Sequence, residues 1–274
     1  GIENRFIDKY LTKRIIMKLI LGDSVDKLKE LDDNSIDSIV TDPPYGLSFM
    51  GKKWDYDVPS QEIFEECLRV LKPGGYLLSF AGSRTYHRMA VRIEDAGFEI
   101  RDQIMWIYGS GFPKSHNIGK KVEQYEGWGT ALKPAHEPIV MARKPLSEKT
   151  VVNNVLEWGT AGINIEESRI SYKSKDDMEI RKNTHRETNK LGDGNFGGGK
   201  YSQPVESGRF PANIILDKEA GRILDETTDG ASRFFYCPKT SKRDRNEGLE
   251  HLEGKHVGTL NANSADLENY GGSS

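Results

Sequence analysis

The sequence predicts an α/β protein with a mostly parallel, twisted β-sheet, and three features of its N-terminal half lead to this prediction. Short apolar segments typical of strands buried on both faces alternate with segments in which apolar residues recur at helical spacing. Glycine, proline and aspartate stand between these segments, where turns are expected. Because strand and helix alternate, successive strands are expected to run side by side in the same direction.

The expected elements can be placed in chain order. Strands are predicted at residues 17–21, 36–40, 76–80 and 98–108, and helices after Gly22 and over residues 60–71 and 83–96. Asp23 or Ser24 can cap the first of these helices. Lys72-Pro73-Gly74-Gly75 ends the second helix, since proline and glycine commonly follow a helix terminus.

The residues after Gly109 predict less regular structure. Strand candidates there are short and fall at residues 138–142, 162–165 and 211–216. The stretch from Tyr172 to Ser207 is polar and rich in glycine, so we expect a mobile loop. Residues 258–274 contain much glycine, serine and asparagine, and we expect them to form a flexible end.

Composition excludes several classes of protein. A net charge of -3 excludes a uniformly basic surface, although a local basic groove is still compatible with it. No apolar run approaches the roughly 20 residues that cross a bilayer. The only cysteines, Cys67 and Cys237, are too far apart in sequence for a thiolate zinc motif, and they do not suggest a disulfide framework. We therefore expect a protein of the reducing cytoplasm that holds no metal.

The sharpest motif is Thr41-Asp42-Pro43-Pro44-Tyr45-Gly46, which follows a predicted strand. Ligands bind at the carboxyl ends of strands in open α/β sheets. The Asp42 carboxylate and the Pro43 carbonyl can accept the two hydrogens of an amine, while the Tyr45 ring can stack on a flat group. This set suits a planar molecule with an exocyclic amine. The simpler alternative is that the two prolines only end a strand.

These residues, together with several later blocks, resemble the DNA amino-methyltransferases, which use S-adenosylmethionine to modify N6 of adenine or N4 of cytosine. The resemblance extends from about Met17 to Leu249. It is carried by Leu21-Gly22-Asp23-Ser24, Asp42-Pro43-Pro44-Tyr45, Leu71-Lys72-Pro73-Gly74-Gly75, and the blocks at residues 106–114, 133–140 and 232–246. The later blocks are similar to the permuted branch found in phages and bacteria. The resemblance implies a Rossmann-like methyltransferase fold with an irregular target-recognition region.

The resemblance also assigns roles to residues. It implies that Asp42, Pro43, Pro44 and Tyr45 form the catalytic motif, and that S-adenosylmethionine is the cofactor. Asp23 and Ser24 would lie near the adenine ring of the cofactor, and Asp42 would also face the cofactor. For Asp23 and Ser24 an ordinary helix cap is an equally good interpretation.

Basic residues interleaved with aromatic ones suggest a surface for double-stranded DNA. The candidates for phosphate contact are Lys114, Lys133, Arg143, Lys144, Lys239, Lys242, Arg243 and Arg245. Their aromatic neighbours include Phe112, Trp128 and Phe234. Taken one at a time, each basic side chain is more typical of a solvated surface. Glu137 precedes an apolar strand, and we interpret it as structural.

The resemblance further implies how the chain is divided. We expect an N-terminal extension over residues 1–16, part of a catalytic core over 17–145, a target-recognition region over 146–257 and the flexible end. The permuted branch has a glycine-rich cofactor loop after the recognition region, and this sequence reaches Ser274 without one. The chain is therefore expected to be a fragment, to need a second polypeptide that completes the cofactor site, or to have lost activity.

Four functions stay open on these residues. The first is adenine-N6 methylation of DNA, in a restriction–modification system or on a phage genome. Cytosine-N4 methylation requires the same geometry. A DNA-binding subunit without its own methyl donor is the third, and a methyltransferase acting on RNA or protein is the fourth.

Overall fold

A computed structural model of the 274-residue chain describes residues 18–47, 55–111, 115–172, 174–179 and 205–237. All of these residues belong to one compact unit, Gly1–Pro238. Most of the predicted mobile loop, the N-terminal extension and the flexible end lie outside the described residues. The domain boundaries expected at residues 16, 145 and 257 stay predictions.

Helices and strands alternate through the first part of the described chain. The strands are β1 (Ile36–Thr41), β2 (Leu71–Phe80), β3 (Glu99–Ile107), β4 (His136–Arg143) and β5 (Ile214–Leu216). The α-helices are α1 (Ser24–Lys29), α2 (Gln61–Val70), α3 (Tyr86–Asp95), α4 (Val151–Trp158) and α5 (Lys218–Thr227). Two short 3₁₀ helices occupy Glu123–Tyr125 and Ala231–Phe234.

Within the described residues, the strands form one sheet in the order β1-β2-β4-β3-β5. β1 pairs parallel to β2, and β3 pairs parallel to β5. β4 lies between β2 and β3 and runs antiparallel to both. The other four strands therefore all point the same way, and their carboxyl ends share one edge of the sheet.

The reversed direction of β4 follows from where the chain enters it. The first residue of β4, His136, pairs with the last residue of β3, Ile107. The connection between them therefore leaves and re-enters the sheet at the same edge, and β4 must run back. An antiparallel strand of this kind is common in otherwise parallel sheets.

The hydrophobic core fills the space between the sheet and helices α2 and α3. Fully buried side chains from each layer, among them Phe64, Leu77, Met89 and Val140, form one cluster. The apolar spacing in α2 and α3 that predicted these helices therefore marks the faces that pack on the sheet. The α/β fold class is confirmed.

Three local predictions differ from the structure. Residues 18–21 are not a strand, and Leu19 and Leu21 are 84% and 98% exposed. Residues 162–165 are coil and turn rather than a strand. Lys72–Gly75 directly follows α2, as expected, but it belongs to β2 rather than to a turn.

Helices α4 and α5 were not anticipated, although their ends carry recognisable signals. The Thr150 hydroxyl accepts from the Asn153 amide at the start of α4, and Gly159 ends it with φ 75°. The Asp217 carboxylate caps α5 by accepting from the Ala220 amide. Among the residues that the structure describes, no helix is long and apolar enough to cross a membrane.

Candidate active site

The Asp42 motif lies at the edge of the sheet where parallel strands end. β1 ends at Thr41, which pairs with Ser79 near the end of β2. The segments that follow the two strands, residues 42–47 and 81–85, therefore leave the sheet side by side. We call residues 42–47 the β1 loop. This edge is where open α/β sheets bind ligands.

The β1 loop is held from two sides. The buried Asp55 carboxylate accepts from the Gly46 amide at 2.9 Å and from the Leu47 amide at 3.2 Å. On the other side, the Thr85 hydroxyl donates to the Tyr45 carbonyl at 2.6 Å. Gly46 has φ +67°, and a Cβ there would lie 2.8 Å from the Val58 amide nitrogen. The loop therefore has a fixed backbone, with glycine required at this position.

The catalytic side chains implied by the resemblance meet within this loop. The Tyr45 hydroxyl donates to Asp42 Oδ1 at 2.7 Å, and Glu137 Oε2 on β4 lies 3.3 Å from the same hydroxyl. Asp42 is exposed, while Tyr45 is half-buried. Burial and the hydrogen bond to Asp42 raise the pKa of Tyr45 above its usual value, so the hydroxyl stays a donor.

Asp23 and Ser24 occupy a different setting. We call residues 21–24 the α1 segment. The Asp23 side chain accepts from the Val25 amide at 2.9 Å and so caps α1, as predicted. The same carboxylate and Ser24 are exposed. The cap therefore leaves the proposed contact with the cofactor open, and the contact stays a prediction.

Two of the predicted DNA contacts, Arg143 and Lys144, have partners within the fold. Arg143 is 7% exposed, and its guanidinium pairs with Glu99 at 2.6 Å. Lys144 Nζ donates to Asn34 Oδ1 and to the Leu71 carbonyl, both at 2.7 Å. Burial lowers the pKa of Lys144. Both cations therefore have partners within the fold, and their contact with DNA stays a prediction.

The other predicted contacts stay predictions. Lys133 is exposed, and its ammonium donates to the Gly109 carbonyl at 2.9 Å, next to the end of β3. Lys114, Lys239, Lys242, Arg243 and Arg245 lie outside the described residues.

Sequence reasoning missed three residues that shape the site: Asp55, Thr85 and Glu137. Glu137 was interpreted as structural, but β4 brings it to the Tyr45 hydroxyl. Asp55 and Thr85 stand in unremarkable loop sequence, and only their position beside the β1 loop reveals their role. Of these three residues, only Glu137 could have been identified from the sequence, because it is a carboxylate next to the first apolar residues of a predicted strand.

Comparison with known families gives a match over most of the chain. The family model of the N6/N4 type described as DNA methylase matches residues 36–256. This range includes the β1 loop, Glu137 and the whole described sheet.

Two curated relatives are type II methyltransferases. M.HpaI of Haemophilus parainfluenzae is 33% identical over 138 residues, which are 46% of this chain and 38% of the relative. M.HindIII of Haemophilus influenzae is 25% identical over 190 residues, which are 50% of this chain and 61% of the relative. The chain therefore spans less than two thirds of the length of either relative.

Two solved structures are also similar to this chain. The crystal structure of M1.HpyAVI covers 47% of this chain and 56% of its own, with 23% identity and a TM-score of 0.32. TTHA0409 of Thermus thermophilus, in complex with S-adenosyl-L-methionine, covers 84% of this chain and 90% of its own, with 17% identity and a TM-score of 0.35.

Proposed function

The chain belongs to the N6/N4 DNA methylase family, and from this premise we propose that it transfers a methyl group from S-adenosylmethionine to the N6 amine of adenine in double-stranded DNA. The observation that carries the proposal is the Asp42-Pro43-Pro44-Tyr45 segment, held by Asp55 and Thr85 at the carboxyl edge of a parallel strand pair. We place the activity in the cytoplasm of a bacterium, within a restriction–modification system or on a phage genome.

The exposed acidic side chains fit the proposed cofactor. S-Adenosylmethionine supplies an electrophilic methyl group, and it also carries an adenine amine and an ammonium group. Asp23 and Asp42 both expose their carboxylates, and each can accept a hydrogen bond from such a donor. We propose that Asp23, Ser24 and Asp42 hold this molecule.

The proposed chemistry at Asp42 is activation of a weak nucleophile. The lone pair of an exocyclic amine is delocalised into the base, so the nitrogen attacks poorly. Hydrogen bonds from the amine to the Asp42 carboxylate and the Pro43 carbonyl favour a more tetrahedral nitrogen with a localised lone pair. Because the fixed loop holds both acceptors before the base arrives, they stabilise the charge that develops on nitrogen without rearranging.

In the described arrangement, Tyr45 occupies the acceptor that the amine would need. The Tyr45 hydroxyl donates to Asp42 Oδ1, and Glu137 Oε2 lies close enough to accept the same proton. We propose that the incoming base displaces the hydroxyl from Asp42, and that Glu137 then holds it. The ring of Tyr45 can then stack on the base.

Double-stranded DNA adds a requirement for base flipping. Extruding the target nucleotide costs a few kcal/mol, and stacking on an aromatic ring returns about 1–3 kcal/mol per base. Contacts with the phosphates must provide the rest, and Lys133 is one candidate within the described residues.

The direct test is mass spectrometry of nucleosides after the chain is incubated with DNA and S-adenosylmethionine. N6-methyladenine is the expected product, and N4-methylcytosine would assign the other substrate of the same geometry. Methylation of RNA or protein, with DNA left unmodified, would overturn the proposal.

A DNA-binding subunit that depends on a partner is the second candidate. In this case the chain would contact DNA, and a second polypeptide would complete the cofactor site. Calorimetric titration with S-adenosylmethionine separates the two cases. Binding by the chain alone supports an independent enzyme, whereas binding that requires a second polypeptide supports the subunit.

A further inference from the structure

A small cationic cleft lies beside the β1 loop and is not used by the chemistry described above. It has a volume of about 260 Å³ and is lined by Gly46, Leu47, Arg84, Thr85, His87 and Arg88. We propose that this cleft binds the DNA backbone phosphate next to the flipped nucleotide. The inference rests on the proposed function, because it assumes a nucleic-acid substrate at the β1 loop.

The charge of the cleft favours an anion. Within the part of the chain that the structure describes, the side chains of Arg84 and His87 have no hydrogen-bond or ion-pair partner. Arg88 lies 3.9 Å from Asp57, and that carboxylate is held at 2.6 Å by Arg92. Among the described residues, no acidic side chain lines the cleft itself. The positive charge of Arg84 is therefore not neutralised there, and that of Arg88 is neutralised only in part by a carboxylate shared with Arg92.

The arginines of the cleft differ from Arg69 and Arg143 in how closely they pair with carboxylates. Arg69 pairs with Asp33 at 2.5 Å and with Glu66 at 2.9 Å, and Arg143 pairs with Glu99. Those guanidinium groups are committed to the protein. A guanidinium that is left without a carboxylate can bind a phosphate through two parallel hydrogen bonds.

The position of the cleft beside Tyr45 indicates which phosphate it would bind. Gly46 and Leu47 directly follow Tyr45, and Thr85 both lines the cleft and donates to the Tyr45 carbonyl. One wall of the cleft is thus the backbone that presents the proposed stacking ring. A base flipped onto that ring stays attached to a phosphate on either side, so a phosphate must pass close to this wall. Binding it here would position the nucleotide before chemistry.

The experiment measures how strongly the full chain binds a fluorescently labelled DNA duplex, by anisotropy over a series of salt concentrations. The test variant is Arg84→Gln combined with Arg88→Gln. Each lost phosphate contact is expected to lower the slope of log affinity against log salt by about 0.9. The double variant should therefore lose about one to two units of slope, and it should bind DNA about tenfold or more weakly near 0.1 M salt.

Arg101→Gln is the matched control. Arg101 is also an exposed arginine, 3.7 Å from Glu99, but it lies near the amino end of β3 and so at the opposite edge of the sheet. Its substitution should leave the slope unchanged. An unchanged slope in the double variant, or an equal loss in the control, would overturn the cleft assignment. A slope change seen only with duplex RNA would overturn its assignment to DNA.

Two further readouts separate this inference from the proposed function. Thermal unfolding of the double variant should match that of the wild type, because neither arginine is buried. Calorimetric affinity for S-adenosylmethionine should also be unchanged. If the chain binds DNA with the expected slopes but forms no methylated base, the cleft stands and the proposed function fails. If the double variant still methylates DNA and its salt slope equals that of the wild type, the proposed function stands and the cleft assignment fails.

Discussion

The β1 loop and the α1 segment both contain an aspartate beside a predicted strand, but the two carboxylates make different contacts in the structure. In the β1 loop, Asp55 and Thr85 hold the backbone, and the Asp42 carboxylate is bound only by the hydroxyl of Tyr45 among the described contacts. In the α1 segment, the Asp23 carboxylate itself caps the helix. A side chain is available for chemistry when other groups fix its backbone.

The largest effect in this comparison is expected from Asp42→Ala. Losing one fixed hydrogen-bonding group at a reacting centre lowers kcat by about 10² to 10³-fold. Methyl transfer to DNA, measured by nucleoside mass spectrometry, should fall by this factor. Thermal unfolding should be unchanged, because Asp42 is exposed. Near wild-type activity would show that the carboxylate does not hold the amine.

Tyr45→Ala should weaken capture of the base by about 5- to 150-fold, which corresponds to the 1–3 kcal/mol of one stacked base. The effect should appear in KM for DNA more than in affinity for S-adenosylmethionine. Tyr45→Phe is the control, because it keeps the ring and removes only the hydroxyl that occupies Asp42. Equal losses in both variants would exclude stacking as the main role of Tyr45.

Asp55→Ala tests whether the β1 loop needs the hydrogen bonds that its Gly46 and Leu47 amides donate to Asp55. The substitution leaves the partly buried Gly46 and Leu47 amides without their acceptor, and an unsatisfied donor costs up to about 1–3 kcal/mol when it is fully buried. We expect a lower unfolding temperature together with lower activity. Asp55→Asn retains one acceptor oxygen and should lose less. A stable but inactive Asp55→Ala variant would assign Asp55 a direct part in chemistry instead.

Glu137→Ala should have a smaller effect on the same loop. Without Glu137 the Tyr45 hydroxyl has Asp42 as its only acceptor in the described contacts, so the base must displace it with less compensation. A hydrogen bond contributes about 0.5–1.5 kcal/mol, so KM for DNA should rise about 2- to 12-fold while kcat changes little. Glu137→Gln retains an acceptor oxygen and should restore most of the affinity.

The smallest effect on methyl transfer is expected from Asp23→Ser, which tests the α1 segment. Serine is also a good N-cap, so helix stability should be retained, whereas Asp23→Ala should lower the free energy of unfolding by about 0.5–2 kcal/mol. If Asp23 also binds the cofactor, Asp23→Ser should weaken binding of S-adenosylmethionine in calorimetry. Unchanged binding would show that Asp23 caps α1 and does not bind the cofactor.

Much of the fold could be predicted because its signals are local. The helical spacing of apolar residues in α2 and α3 and the apolar runs of β1 and β2 depend only on neighbouring residues. The direction of β4 could not be predicted, because it depends on the edge at which the connection from β3 returns. The Thr150 cap is also a local signal, and it could have been used to predict α4.

The candidate site shows the same division between local and distant information. The Asp42 to Tyr45 motif is contiguous, so sequence alone could identify it. Whether a basic residue has a partner within the fold depends on residues far away in sequence. The sequence therefore suggested Arg143, which pairs with Glu99, and did not suggest Arg84, which lines the cleft. Glu137 reaches Tyr45 across 92 positions of sequence, and only the pairing of the strands brings it there.

The hydrogen bonds by which Asp55 and Thr85 fix the backbone of the β1 loop also matter for protein engineering. A designer who grafts the Asp-Pro-Pro-Tyr tetrapeptide onto the strand end of another scaffold transfers the reactive groups without the scaffold that orients them. Such a graft would need an acceptor placed beneath the two amides after the tyrosine and a hydroxyl aimed at the tyrosine carbonyl. The smallest portable unit is therefore three separate stretches of chain.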